Sequence, residues 1–367
     1  MDRPPPPLPE TKNNHHPMKR IISLAAALAL IVAAIPSAAA TRIKVVPSKT
    51  YVSRVVSCPD FTKLVTNTTI DIEYTVGPKS VKLYAPDNLI DYIQVTSSGS
   101  SLTVSWKSGV NLNINGNYTA KMIVSAPAVN DFLTNSTGDI TIKSPLQGGS
   151  ADYSFVTNST GDIYLQSVKT SGIQIKLVSN STGDITAGRL QAGNVHLTAN
   201  STGDVKASAV IGRQYAVLHT NSTGDVIVGN VMTEKAMIAS SSTGDVKIEN
   251  LSADDARINS RSTGDVRVSD MSVETLTVEA SSTGDIKLAG KCSSASMTAG
   301  STSEIEARGL KVIDLTVSAS STAEVECYAV RSINASCSSS SAEIRCYSKP
   351  GMATLSGSYT DNIHIGR

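Results

Sequence analysis

Apolar and polar residues follow a pattern that repeats about every 20 residues from position 128 to the end of the chain, a period typical of repeat architectures. The motif Ser-Thr-Gly-Asp closes each of the first eight repeats, and more divergent turns continue the same register. The longest step runs from Asp139 to Asp162, and the steps near the C-terminal end, such as that from Asp285 to Glu304, are only slightly shorter. The residues that mark the repeats are Asp139, Asp162, Asp184, Asp204, Asp225, Asp245, Asp265, Asp285, Glu304, Glu324, Glu343 and Asn362.

Within each repeat, apolar residues lie one and three positions after the marker and again near positions eleven and thirteen. Val266 with Val268 and Leu276 with Val278 illustrate this spacing. This period of two predicts β-strands. A further apolar position recurs six residues after the marker, as at Leu310 and Val330. One repeat cannot bury its own apolar face, whereas stacked copies share an interior. We therefore predict an all-β fold, a single-stranded parallel β-helix (β-solenoid) of about twelve coils, right-handed by the general rule for parallel crossovers.

Stacking in register turns each column of the repeat into a stripe along a rod. The glycine of each motif is predicted to adopt a positive φ in the turn. Two interpretations stay open for the hydroxyl residues beside it: they satisfy the turn backbone, or they form an exposed ladder that contacts a ligand. The possible contact ladder consists of Thr202, Thr223, Thr243, Thr263 and Thr283.

The acidic stripe requires an explanation, because like charges about 5 Å apart repel by roughly 1 to 4 kcal/mol, depending on the effective permittivity. Solvent screening and cations two residues later on the same strand, such as Lys206 and Lys247, offer one answer. The alternative is a divalent-cation ladder, with calcium held between coils by carboxylate, hydroxyl and carbonyl oxygens. Its candidate ligands are Asp204, Asp225, Asp245, Asp265 and Asp285. Apart from this possible calcium, no cofactor is expected.

Three of the five cysteines fall near the end of the repeat region. Cys327 and Cys346 occupy the same inward position of two consecutive repeats, and Cys337 faces them from the opposite wall. These residues form either a buried thiol cluster or a disulfide. For a disulfide, Cys337 is the better partner, because directly stacked residues have poor bridge geometry.

Residues 1–40 have the three parts of a secretory signal peptide. Met18-Lys19-Arg20 precedes an apolar run over residues 21–35, and small residues follow as far as Ala40. We interpret Met18 as the start of translation. The chain is then expected in the periplasm, at the outer-membrane surface or outside the cell, with no transmembrane segment after cleavage.

Charge and composition narrow the function further. The chain has 32 basic and 31 acidic residues, which argues against the basic surface that nucleic-acid binding requires. It has only 3 Phe and 1 Trp beside 11 Tyr. This scarcity fits a narrow interior that aliphatic side chains fill.

Residues 41–127 lack the repeat motif but are rich in predicted strands. They contain Asp87-Asn88-Leu89-Ile90-Asp91 and then Val124-Ser125-Ala126-Pro127, after which the Ser-Thr-Gly-Asp series begins. In this order the segments resemble the auto-transporter adhesin family with a head GIN domain. The resemblance implies an exported β-helical protein of Gram-negative bacteria and assigns no catalytic residues. Residues 41–127 are then the N-terminal part of the head, capping a solenoid over residues 128–367.

The leading hypothesis is an exported, non-catalytic rod that binds a glycan, a matrix component or a surface protein. One alternative is an envelope structural or stress-related protein without an external ligand. Another is a β-helical polysaccharide lyase or hydrolase. Such enzymes usually build a cleft from long insertions, whereas the repeats here keep a nearly constant length.

Overall fold

The computed structural model describes residues 41–366, which form β-strands joined by tight turns and two 3-10 helices, Ile90–Tyr92 and Thr360–Asn362. The predicted signal peptide lies outside the described residues. The β-solenoid prediction is confirmed, because parallel strands stack into about 12 turns. The hand of the solenoid and the domain boundary at residue 127 stay predictions.

The strands lengthen along the chain and shorten again at its end. The N-terminal strands are β1 (Thr41–Val45), β2 (Tyr51–Val55), β3 (Lys63–Thr66), β4 (Asp71–Val76), β5 (Ser80–Pro86), β6 (Ile93–Ser98), β7 (Ser101–Trp106), β8 (Val110–Ile114) and β9 (Lys121–Ala126). Short strands of the first regular coils follow: β10 (Asp131–Thr134), β11 (Ile140–Ile142), β12 (Leu146–Gln147), β13 (Tyr153–Thr157), β14 (Ile163–Lys169) and β15 (Gln174–Ser179). Eight long strands each run through most of a coil: β16 (Ile185–Ala199), β17 (Val205–Thr220), β18 (Val226–Ser240), β19 (Val246–Ser260), β20 (Val266–Ser282), β21 (Ile286–Ser301), β22 (Glu304–Ala319) and β23 (Glu324–Cys337). The last strands are β24 (Glu343–Cys346), β25 (Met352–Ser356) and β26 (Ile363–Ile365).

The first apolar position of each repeat forms a continuous internal column. Val205 on β17 pairs with Ile185 on one side and with Val226 on the other. The column continues without a gap through Val246, Val266, Ile286, Ile305 and Val325, and each member is fully buried. Burial of a side chain of this size contributes roughly 1.5 to 3 kcal/mol. The repeated alternation of the sequence therefore becomes a stack of nearly identical apolar layers.

The interior is filled differently near the N-terminal end. Tyr74, Phe132 and Phe155 come from three consecutive coils and are fully buried. Phe132 stacks on Phe155 with ring centroids 5.2 Å apart, and Tyr74 meets Phe132 edge-on at 5.3 Å. The few aromatic residues of the chain thus include a cluster that fills the first coils.

Chain order and spatial order differ at the N-terminal end. Strand β3 lies between β7 and β10, and β4 lies between β9 and β11, all in parallel. The coil made by β3 and β4 is therefore part of the parallel stack. Beyond it, β6 pairs antiparallel with β7, and β5 pairs antiparallel with β9 and β2. The antiparallel strands β6 and β5 thus cover the free edges of β7 and β9, the outermost strands of this parallel stack.

The prediction of a positive φ at the motif glycines is wrong. Within residues 41–366, the positive-φ glycines lie outside the Ser-Thr-Gly-Asp motifs, for example at Gly109. The motif glycines are needed because adjacent coils come very close at this corner. A Cβ atom on Gly203 would lie 2.2 Å from the carbonyl oxygen of Gly183, and one on Gly224 would lie 2.3 Å from that of Gly203.

A second difference concerns Val330, which the sequence places in an inward column with Leu310. Val330 is 51% exposed, and its neighbour Ala329 is buried instead. The pairing between β22 and β23 shifts register just before this point, so that Val312 lies opposite Ala329. Counting residues from the acidic marker therefore fails where a coil is shortened.

The close approach of the glycines predicts the effect of a single methyl group. Gly203→Ala should lower the free energy of unfolding by about 3 kcal/mol, because the backbone of the neighbouring coil must move to admit the Cβ atom. Gly300→Ala is the control, since a Cβ atom there meets Ser320 Oγ only at 3.4 Å. Urea unfolding of both variants should show a large effect only for Gly203→Ala, and equal small effects would contradict the observed stacking.

Candidate functional site

The acidic residues of the repeats form one file along a corner of the solenoid. The Oδ1 atom of each Asp accepts a hydrogen bond from the backbone N–H of the acidic residue in the next coil, at 2.8 to 3.2 Å. The file begins one coil earlier than the sequence analysis places it, because Asp71 accepts the N–H of Asp139 at 3.0 Å. Each carboxylate thus links its own coil to the following one.

Lysines neutralise part of this file from the neighbouring strand positions. Lys247 Nζ lies 3.0 Å from Asp225 Oδ2 and 3.0 Å from Asp245 Oδ2. Lys206 binds Asp204 at 2.9 Å. The first carboxylate oxygen therefore bonds to an amide while the second contacts a cation, so that both offset the repulsion between coils.

Compensation is weaker at Asp285 and Glu304 than at the carboxylates that Lys206 and Lys247 contact. Burial, together with the charges of Asp265 and Glu306, raises the pKa of Asp285. Burial and the neighbouring carboxylates also raise the pKa of Glu304. The ionised form of these two residues is therefore less favourable in the folded chain than in water.

The calcium ladder stays a prediction. The candidate ligands Asp204, Asp225, Asp245, Asp265 and Asp285 do stand in one file, but each has its Oδ1 atom bonded to a backbone amide. Residues 41–366 contain no group of three or more His, Cys, Asp or Glu side chains suited to hold a metal ion.

The threonines of the motif point outward along the same corner. Thr202, Thr223, Thr243, Thr263 and Thr283 are all exposed. Thr243 Oγ1 donates to the carbonyl oxygen of Ser222 in the preceding coil at 3.3 Å, and this bond leaves its lone pairs free to accept. The arrangement is a regular array of hydroxyl groups whose rung spacing is about 4.8 Å.

An asparagine ladder runs along the same corner in the earlier coils and overlaps this array at Thr202 and Thr223. Each side-chain amide donates to the Oδ1 atom of the asparagine in the adjacent coil at 2.7 to 2.8 Å. The ladder comprises Asn67, Asn135, Asn158, Asn180, Asn200 and Asn221. Because each Nδ2 atom uses one hydrogen within the ladder, the second N–H is available to an external acceptor.

A column of buried hydroxyl groups inside this corner was not anticipated from the sequence. Ser240 and Ser260 are fully buried, and their Oγ atoms donate to the carbonyl oxygens of Gly244 and Gly264 at 2.8 Å. Thr220 lies one coil earlier and donates across to the carbonyl oxygen of Gly244 at 2.9 Å. A hydroxyl residue just before a turn motif suggests another turn residue, so the pattern gave no signal of its burial.

The cysteines lie where the repeat places them. Cys327 and Cys346 are paired in register on β23 and β24, and both are buried together with Cys337. All three are free thiols in the structure. Hydrogen bonding to Cys346 and burial raise the pKa of the Cys327 thiol. The choice between a thiol cluster and a disulfide stays a prediction.

These stacked coils match a known family along most of the chain. A family model described as "Putative auto-transporter adhesin, head GIN domain" matches residues 60–249 and, overlapping, residues 231–350. The chain belongs to this family. The head GIN domain match begins within the N-terminal segment, just before β3, and extends through the acidic file into the last coils.

The chain is also similar to solved structures of bacterial proteins. A "putative adhesin" from Bacteroides fragilis is 16% identical, with 85% of this chain and 95% of that chain covered and a TM-score of 0.23. A "putative lipid binding protein" from Parabacteroides distasonis is 15% identical, with 86% and 97% covered and a TM-score of 0.28. No curated protein matches the chain. Within residues 41–366, no helix is long and apolar enough to span a membrane.

The acidic file predicts different outcomes for two substitutions of Asp245. Asp245→Ala leaves the N–H of Asp265 without its acceptor and should cost about 1 kcal/mol of unfolding free energy. Asp245→Asn keeps an Oδ1 acceptor and should cost less than about 0.5 kcal/mol. Urea unfolding distinguishes the two. Equal costs would show that the carboxylate does not act as an amide acceptor.

Proposed function

We propose that this head GIN domain protein is an exported, non-catalytic adhesive rod. Its exposed corner, which combines the threonine array and the asparagine ladder, contacts a glycan, a matrix component or a surface protein. The observation that carries the proposal is this corner itself: outward hydroxyl groups repeat in register over successive coils and keep free hydrogen-bonding capacity.

The chemistry of the corner supports a hydroxyl-rich partner. The threonine oxygens accept hydrogen bonds, whereas the free N–H groups of the asparagine ladder donate them. A single contact of this kind is weak in water, but a ladder offers many contacts to an extended partner at once. The adhesin description of the family fits this use.

The amino-acid sequence of residues 1–40 supports export. A charged segment, an apolar run and small residues at the expected cleavage site occur in the order typical of a signal peptide. The coils also keep a nearly constant length, so that the repeat region lacks the long insertions that usually build an enzyme cleft in a solenoid.

A matched pair of double variants tests the contact face. Thr202→Arg with Thr223→Arg places bulky cations on the threonine array in two adjacent coils, where the asparagine ladder also runs. Ser296→Arg with Thr316→Arg does the same on another exposed face, where these two residues are in register. We expect retention of the purified full chain on immobilised mucin or collagen to fall at least tenfold only for the first pair.

Equal retention of both pairs would contradict the assignment of the threonine array as the contact face. Unfolding midpoints of all variants serve as the folding control.

Expression of the full chain in a Gram-negative host tests export. The proposal requires the chain to appear outside the cytoplasmic fraction without residues 1–40, and an uncleaved cytoplasmic chain would contradict it.

A further inference from the structure

A groove of about 520 Å³ crosses five consecutive coils on a face that the sequence analysis did not single out. It follows the middle of the long strands from β19 to β23. One wall is a single column in which each residue pairs with the next: Ser252, Ser272, Lys291 and Lys311. We call this feature the lysine groove. Five coils span about 19 Å along the rod.

The groove lies where the regular repeat is interrupted. The coil after Asp285 is shorter than its predecessors, and the pairing of β20 with β21 shifts register between Val268 and Met271. Gly290 adopts a φ of 119° at this shift. The interruption brings Lys291 into the column that Ser272 occupies one coil earlier.

The two lysines are directly opposite each other on adjacent strands, and both are exposed. Neither forms an ion pair with any side chain of residues 41–366. Like charges in directly opposed positions destabilise a sheet. Lys247 differs from these two lysines, because its Nζ atom lies 3.0 Å from a carboxylate oxygen of Asp225 and 3.0 Å from one of Asp245. The lysine pair is therefore a local concentration of positive charge without a direct ion-pair partner among residues 41–366.

The remaining lining residues define the rest of the ligand. On the opposite wall, Ile313 is 41% exposed and Val330 is 51% exposed, which provides an apolar surface beside the lysines. At the other end of the groove, Asp254 and Glu274 are exposed acceptors. A pyranose ring with a carboxylate matches the apolar, acidic and basic side chains of the groove. Its apolar face packs on Ile313 and Val330, and its hydroxyl groups donate to Asp254 and Glu274. Its carboxylate contacts the two lysines.

We propose that the lysine groove binds a linear polysaccharide containing uronic acids, which lies along the axis of the rod. Exposed residues of five successive coils line the groove, so that an extended polymer can lie along it. This inference deepens the proposed adhesive function and rests on it, but it assigns the contact to a different face from the threonine array.

The test measures binding of the full chain to polygalacturonate, with the neutral polymer dextran and with phosphatidylglycerol vesicles as competing probes. Lys291→Glu and Lys311→Glu should each weaken polygalacturonate binding at least tenfold, and the double variant should abolish it. Lys291→Arg should keep binding within about threefold, because it preserves the charge. Lys176→Glu is the matched control, since this exposed lysine lies outside the groove and undergoes the same change of charge.

Unchanged binding by the two lysine variants would overturn the inference, as would equal affinity for dextran or tighter binding to the vesicles. Lys291→Gln repeats the test without adding a negative charge. The outcome is separable from that of the adhesive corner. If the threonine variants lose mucin or collagen binding while polygalacturonate does not bind, only the lysine groove is refuted. If polygalacturonate binding depends on the lysines but the threonine variants behave as the wild type, only the contact face is refuted.

Discussion

Backbone hydrogen bonding between parallel coils is the constraint on which the rest of this structure depends. It fixes the separation of neighbouring coils at about 4.8 Å and, away from the register shifts, stacks each residue on its counterpart one repeat away. At the Ser-Thr-Gly-Asp corner the backbones come close enough that a Cβ atom would collide with the neighbouring carbonyl oxygen. Inside, the same spacing aligns β-branched residues such as Val205 and Val226 into a column without gaps.

Stacking like on like also creates conflicts that the chain resolves locally. The acidic file would be repulsive, yet each carboxylate accepts an amide hydrogen from the next coil, and lysines such as Lys247 contact its second oxygen. The lysine pair in the groove has no comparable partner within the described residues. The exposed hydroxyl corner differs from both, because its groups are partly bonded and remain accessible.

The repeat made the fold predictable, since a fixed period with alternating apolar residues leaves few alternatives to a stacked solenoid. The inward columns around Leu276 and Val278 followed from counting alone. Four features did not. The role of the glycines depends on the distance to another coil, which a single repeat does not reveal. The buried hydroxyl of Ser240 resembles a turn residue in the sequence. The lysine groove and the exposure of Val330 arise from register shifts, which counting assumes to be absent.

The central claim is that equivalent residues of successive repeats stand in file, and spin-label distances test it most directly. Labels are placed in a cysteine-free background at Thr283 and, in separate samples, at Thr202, Thr182 or Thr160. These pairs are separated by four, five and six coils. The account predicts distances near 19, 24 and 29 Å, an increase of about 4.8 Å for each added coil. Distances that do not rise steadily with the number of coils would contradict it.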